Sequence, residues 1–97
     1  MKRIDYIIRT LNVLGSERIG LLEAATLLTI ANGADTKQEI LKQTTQHPES
    51  LTARIRHLRG KGLIQSIWTS DGTQSHSLTS KGIDLVAEIL NPQTPTK

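Results

Sequence analysis

Apolar residues recur along the chain at two different periods, and the change of period divides it. Ile4, Ile7, Ile8, Leu11 and Leu14 fall at three- and four-residue intervals, which predicts an amphipathic helix over residues 3–14. Asp5 in its first turn and Gly15 after its end agree with helix polarity. A second apolar segment runs from Ile19 to Ala31. Leu21, Ala24, Ala25 and Leu28 make its expected buried stripe, with Leu22 and Ile30 beside it, and Asn32-Gly33 supplies a left-handed stop. Thr36-Lys37-Gln38-Glu39 has the spacing of a capping box. The short helix that it opens buries Ile40 and Leu41 and ends near Thr44 or Thr45. After a brief turn, His47-Pro48-Glu49-Ser50 restarts a helix. Pro48 stands at its first position, where a missing N–H costs nothing. Leu51, Ile55 and Leu58 mark the buried side, and Gly60 and Gly62 loosen the helix end.

From Leu63 to Leu78 the pattern turns to that of strands. Ile64, Ile67, Trp68 and Thr69 favour extended backbone, and Asp71-Gly72 is a hairpin signal. If Asp71 and Gly72 form a two-residue loop, Ile67 faces His76 and Gln65 faces Leu78. Ile67 and Leu78 then share one face, and Trp68 serves as a packing or wing-anchor residue on the other. Thr79 caps a last helix over residues 80–90, with Ile83, Leu85, Val86, Ile89 and Leu90 on more than one side. The segment 91–97, with two prolines among polar residues, reads as a disordered tail after a single domain over residues 1–90.

Composition removes several functions. Across 97 residues there is no cysteine, which excludes disulfides, thiolate metal sites and thiol chemistry. No apolar run approaches the ~20 residues of a membrane span. The apolar stretch after Met1-Lys2-Arg3 is interrupted by Asp5, Arg9 and Asn12, so a cytoplasmic protein is expected. His47, His57 and His76 are not at metal-ligand spacing, and no Gly-rich phosphate loop follows a strand. No catalytic constellation, cofactor site or metal site is expected. Tyr6 suits a helix–helix contact. With only Trp68 and Tyr6 aromatic, a stacking surface for single strands is disfavoured.

Charge is unevenly placed. The net charge is +3, yet Arg54, Arg56, Arg59 and Lys61 lie between Ser50 and Ser70 with His57 and no acidic residue. A basic segment confined to one helix suits a polyanion as well as a solvated face. A short capped helix, a turn and a basic helix make a helix-turn-helix, and a hairpin directly behind it stands where a wing would. The expected fold class is therefore mainly α with a small β-hairpin (α+β), a winged helix-turn-helix with extra N- and C-terminal helices.

Three stretches give that organisation a family likeness. Leu58-Arg59-Gly60-Lys61-Gly62-Leu63-Ile64 resembles the recognition-helix exit of MarR-type winged-helix regulators, and Leu78-Thr79-Ser80-Lys81-Gly82 resembles their strand-to-helix join. His47 to Arg54 is similar to the start of their recognition helix. The resemblance spans roughly Leu21 to Leu90. The wing departs from it, since Asp71-Gly72-Thr73 lacks the usual Arg, and the terminal helices are short for the family. What the resemblance implies is sequence-specific binding of double-stranded DNA by a homodimeric transcription regulator, most simply a repressor that occludes polymerase.

At about 100° per residue, Glu49, Ala53 and Arg56 point away from the buried side, flanked by Ser50, Thr52 and His57. Ser50 and Ala53 permit close approach to a groove floor, and Arg56 can offer guanine a bidentate fork. Arg54 leans toward the core edge, where a phosphate rail would lie. Lys61 ends the same helix. The candidate DNA-binding set is thus Glu49, Ser50, Thr52, Ala53, Arg54, Arg56, His57 and Lys61. Lys37 and Gln38 could touch a phosphate or simply be exposed. Helices 3–14 and 80–90 carry apolar surface beyond what one small domain buries, so a homodimer through them is expected. A winged helix used as a protein-interaction module in a replication or transcription assembly is the alternative.

Overall fold

The computed structural model describes residues 2–91. Among these, five helices and one hairpin follow in the order α1 (Lys2–Ser16), α2 (Leu21–Ala31), α3 (Lys37–Gln43), α4 (Pro48–Gly60), β1 (Ile64–Trp68), β2 (Gln74–Leu78) and α5 (Ser80–Leu90). The expected α+β class and winged helix-turn-helix order are therefore present. Residues 92–97 of the expected tail lie outside the described residues.

Helix ends decide where the elements turn. α1, α2 and α4 stop in the same way, with a left-handed residue and two backbone bonds that close the last turn. In α2 the residue is Gly33 (φ 105°), with Gly33 N–H on Ile30 O at 3.1 Å and Ala34 N–H on Thr29 O at 3.0 Å. In α4 it is Gly62 (φ 77°), with Leu63 N–H on Leu58 O at 3.0 Å. Leu58 and Leu63 are both buried, so the bond and the apolar contact across the stop reinforce each other. In α1 the left-handed residue is Arg18 (φ 58°), not a glycine. Ile19 N–H reaches Leu14 O at 2.8 Å there. This corrects two sequence expectations. Gly15 lies inside α1, and Gly60 lies inside α4, whose end is sharp.

The core forms where α2 is enclosed by α3, α4, α5 and the hairpin. Leu27, Ile40, Leu51 and Leu58 are fully buried at its centre, with Leu85, Val86 and Ile89 closing it from α5. The stripe expected for α2 is rotated in the structure. Ala24, Leu27 and Ile30 are the buried apolar positions, while Leu21 is 72% exposed. So few polar residues break the sequence of α2 that periodicity could not select a face. Glu23 and Thr26 turn inward as well, and each is satisfied. Glu23 accepts Gly20 N–H at 2.9 Å, and Thr26 donates its hydroxyl to Leu22 O at 2.8 Å.

The hairpin register is one residue off the two-residue-loop expectation. Ile64 pairs with Leu78, Ser66 with His76, Ile67 with Ser75 and Trp68 with Gln74. The connection is a three-residue loop, Ser70-Asp71-Gly72, closed by Thr69 N–H on Thr73 O (2.7 Å) and Gly72 N–H on Thr69 O (3.0 Å). Gly72 alone adopts positive φ (83°), as a type I turn followed by a bulge requires. Asp71 instead braces the loop, accepting Thr73 N–H at 3.0 Å and the Thr69 hydroxyl. A one-residue slip moves every side chain of one strand to the other face. Ile67 and Leu78 consequently lie on opposite faces, and Ile67 is exposed. Trp68 anchors nothing, being 72% exposed.

α1 leans along α5. The Tyr6 hydroxyl donates to Leu90 O, and the Thr10 hydroxyl reaches Ile89 O at 3.3 Å. Tyr6 is therefore a helix–helix contact. Ile4, Ile7, Ile8 and Leu11 on α1 and Ile83 and Leu90 on α5 remain about half exposed.

Candidate nucleic-acid interface

α4 is set by its own sequence and by the turn before it. Thr36 caps α3 through its hydroxyl, which accepts Glu39 N–H at 3.2 Å, and Pro48 starts α4. Leu51, Ile55 and Leu58 bury one side. The opposite side presents Glu49, Thr52, Ala53 and Arg56 to solvent, with Ser50 half-buried.

Along that helix runs a groove of about 240 Å³ between α4, the start of α3 and the hairpin. Lys37, Thr52, Arg56, Arg59 and Gln74 line it, with His76 in its wall. Three cations thus converge on one concave surface. Lys37 is placed by a hydrogen bond from its Nζ to Thr52 Oγ1 (2.7 Å), while the Thr52 hydroxyl donates to Pro48 O (3.2 Å). Arg59 is placed from the hairpin side. Its Nη1 donates to Ser66 Oγ at 3.1 Å, and Ser66 Oγ lies 2.7 Å from His76 Nδ1. His76 is itself fixed by its backbone N–H on Asp35 O at 2.7 Å.

Burial pushes His76 below its ordinary pKa, and the Arg59 guanidinium adds to this, opposed by Asp35. Ser66 Oγ bridges His76 Nδ1 and the Arg59 guanidinium. The polar chain therefore aims the guanidinium along the groove.

The expected site residues divide into two groups. Thr52 and Arg56 join the groove, while Glu49, Ser50 and Ala53 lie on the same outer side of α4. Arg54, His57 and Lys61 point elsewhere. Arg54 Nε donates to Gln46 Oε1 at 3.0 Å, and Gln46 in turn donates to Thr26 and Thr44. His57 Nδ1 meets the buried carboxylate of Glu23 on α2. Lys61 Nζ reaches Glu17 O at 3.3 Å, behind the helix. Arg59 and Gln74 were absent from the expected set. Thr52, Arg56 and Arg59 recur at four and three residues, a stripe that was readable. Gln74 enters only through the strand register. Among the described residues no three His, Asp or Glu side chains come together as a metal site would need.

No protein-family model matches the chain, and no curated protein matches it. Solved structures do. A mutant of MepR from S. aureus bound to an oligodeoxyribonucleotide superposes with a TM-score of 0.82 at 20% identity, over 93% of this chain and 69% of that one. The S. aureus MepR–DNA complex gives 0.79 at 20% identity, over 93% and 77%. YusO from Bacillus subtilis gives 0.77 at 18% identity, over 89% and 63%. The fold is a MarR-like winged helix. In its terms α3 and α4 are the two helices of the helix-turn-helix and the hairpin is the wing. Lys37, Arg56 and Arg59 lie where α4 meets the wing.

Proposed function

We propose that this protein is a double-stranded DNA-binding transcription regulator of MarR-like type, acting as a homodimer in the cytoplasm, and that it has no enzymatic activity. The observation that carries the reading is the convergence of Lys37, Arg56 and Arg59 on one groove beside the recognition helix. On the outer side of α4 the small residues Ser50, Thr52 and Ala53 stand between Glu49 and Arg56 and allow the helix into a major groove. The solved complexes of MepR with DNA add support from a protein of the same fold. Arg56 reads bases, Lys37 and Arg59 hold phosphates, and Ser50, Thr52 and Ala53 let the helix approach. Arg54, His57 and Lys61, held by Gln46, Glu23 and the Glu17 carbonyl, position α4 rather than line the contact. The apolar outer faces of α1 and α5 join two copies, and a two-fold pair matches a palindromic site. Bound there, the dimer represses by occluding polymerase.

The test is anisotropy of labelled random duplex over a range of salt, with molecular mass measured by sedimentation. Binding that weakens steeply with salt, by a species of twice the chain mass, is expected. A monomer without duplex affinity at low salt overturns the reading and leaves a protein-interaction module.

A further inference from the structure

We infer that Trp68 is the wing's contact with duplex DNA, its indole lying against the sugar–phosphate backbone beside the groove. The inference rests on the DNA-binding reading above and deepens it.

The register fixes where the side chain points. Directly paired residues of an antiparallel ladder project from the same face. Ile64 with Leu78, Ser66 with His76 and Trp68 with Gln74 therefore form the inner face of the wing, from base to tip. Its base is buried at Ile64, and its middle pair makes the hydrogen-bonded chain to Arg59. Gln74 at its outer pair lines the groove with Arg56 and Arg59. Trp68 is the partner of Gln74, about 7 Å beyond Ser66 along the strand. Its face continues the basic groove outward, and the indole is 72% exposed. An exposed tryptophan whose face adjoins three cations suits an occupant that is polyanionic and also offers apolar surface. The deoxyribose faces of a nucleic-acid backbone do both, and the indole N–H can donate to a phosphate oxygen.

Charge shows why the contact falls to an aromatic residue. From Ile64 to Thr79 there is no Lys or Arg, and Asp71 is the only charged residue. Hydrogen bonds from Thr69 and Thr73 hold the Asp71 carboxyl below its ordinary pKa, so the tip stays anionic. This wing cannot hold DNA by neutralising phosphates. It can do so by apolar packing at Trp68, with Asp71 keeping the tip itself off the backbone.

Trp68 is the only tryptophan, so the intact protein reports on the contact. Duplex is titrated at low salt while label anisotropy and tryptophan emission are followed together. Emission should change in step with occupancy. Trp68→Ala should weaken binding by about tenfold with an unchanged salt slope, because the indole carries no charge. Trp68→Phe should retain part of the affinity, and Asp71→Asn should tighten binding. Circular dichroism melts of each variant identify any that fails to fold. Duplex binding with constant emission, and with Trp68→Ala within about twofold of the native protein, overturns the inference and leaves the DNA-binding reading standing. Emission that follows protein concentration instead of DNA assigns the indole to contact between copies and also overturns it. Absence of any duplex binding overturns both readings.

Discussion

The carbonyl oxygen of Leu63 lies 2.0 Å from where a β-carbon on Gly82 would stand. Gly82 is buried there because α5 starts directly on the end of α4. Thr79 N–H donates to the same Leu63 carbonyl at 3.0 Å, the Thr79 hydroxyl donates to Gly62 O, and Thr79 Oγ1 accepts Gly82 N–H at 3.1 Å. Two stretches far apart in sequence, Leu58–Ile64 and Leu78–Gly82, are thus one joint, holding the wing between them. Gly82→Ala forces backbone apart and should cost about 2–3 kcal/mol, roughly 10–20 °C in Tm for a domain of this size. Gly60, inside α4 with open space around it, is the control. Gly60→Ala should be neutral or stabilising. A thermal melt of Gly82→Ala matching the native protein would remove the steric argument.

Arg18 offers the opposite experiment. It occupies the left-handed position that ends α1, at φ 58°. Such a conformation costs a side-chain-bearing residue about 1–2 kcal/mol, and glycine adopts it freely. Arg18→Gly should therefore raise stability, by about 0.5–1 kcal/mol after the added freedom of the unfolded chain is subtracted. Urea melts of the two proteins decide it. A less stable variant would mean that the Arg18 side chain holds the α1–α2 corner.

What the sequence made legible was local. Thr36, Pro48 and Gly33 act on their own neighbours through capping and a left-handed turn, and all three stand where the pattern put them, whereas Gly62, expected to loosen the end of α4, closes it. The buried side of α4 was readable because polar residues interrupt it regularly. α2 lacks that contrast, so Leu21 was expected inside and lies outside. The hairpin register depended on whether Asp71-Gly72 formed a two-residue loop or the end of a three-residue one, a choice worth one residue and a whole face. The candidate interface inherited that limit. Arg56 was found from α4 alone. Arg59 stands on the same readable stripe, but its aim depends on Ser66 and His76 from the hairpin, and Arg54 and His57 were claimed by Gln46 and Glu23, across separations of eight and 34 residues.

His76 makes the wing joint sensitive to acid. Its folded-state pKa lies below the ordinary 6.5, chiefly through burial. Above about pH 6.5 the imidazole is neutral in both folded and unfolded chains, and its contribution is complete. As pH falls below that value the unfolded chain takes the proton first. Stability is then lost as pH drops through the folded pKa. Urea melts from pH 8 to pH 5 should show this decline in the native protein. His76→Gln keeps a polar partner for Ser66 and should flatten it. An unchanged decline in the variant would remove His76 as the source of the acid sensitivity.

The arginines of α4 should separate by what each one holds. Arg54 is half-buried and bonded to Gln46, which ties the turn between α3 and α4 to Thr26 of α2. Arg54→Ala should cost about 1 kcal/mol of stability, and Gln46→Ala should reproduce that loss. Any effect of Arg54→Ala on DNA should be equal for preferred and random duplexes, because its side chain is held by Gln46 outside the groove and reaches no base. Arg56 is exposed on the groove side, so Arg56→Ala should leave the melt within about 0.5 kcal/mol of native. Its affinity for a preferred duplex should fall by roughly 1–3 kcal/mol, and by much less for random DNA. Arg59, aimed along the groove by Ser66, should behave as a phosphate ligand. Arg59→Ala should lower the salt slope by about 0.9 for each phosphate left unneutralised, and Ser66→Ala should give a weaker version of the same change. Salt titrations of the four variants on both duplexes check the set. Equal weakening of Arg56→Ala on both DNAs would reassign it to the backbone, and native affinity in both Arg56→Ala and Arg59→Ala would remove α4 as the DNA-reading helix.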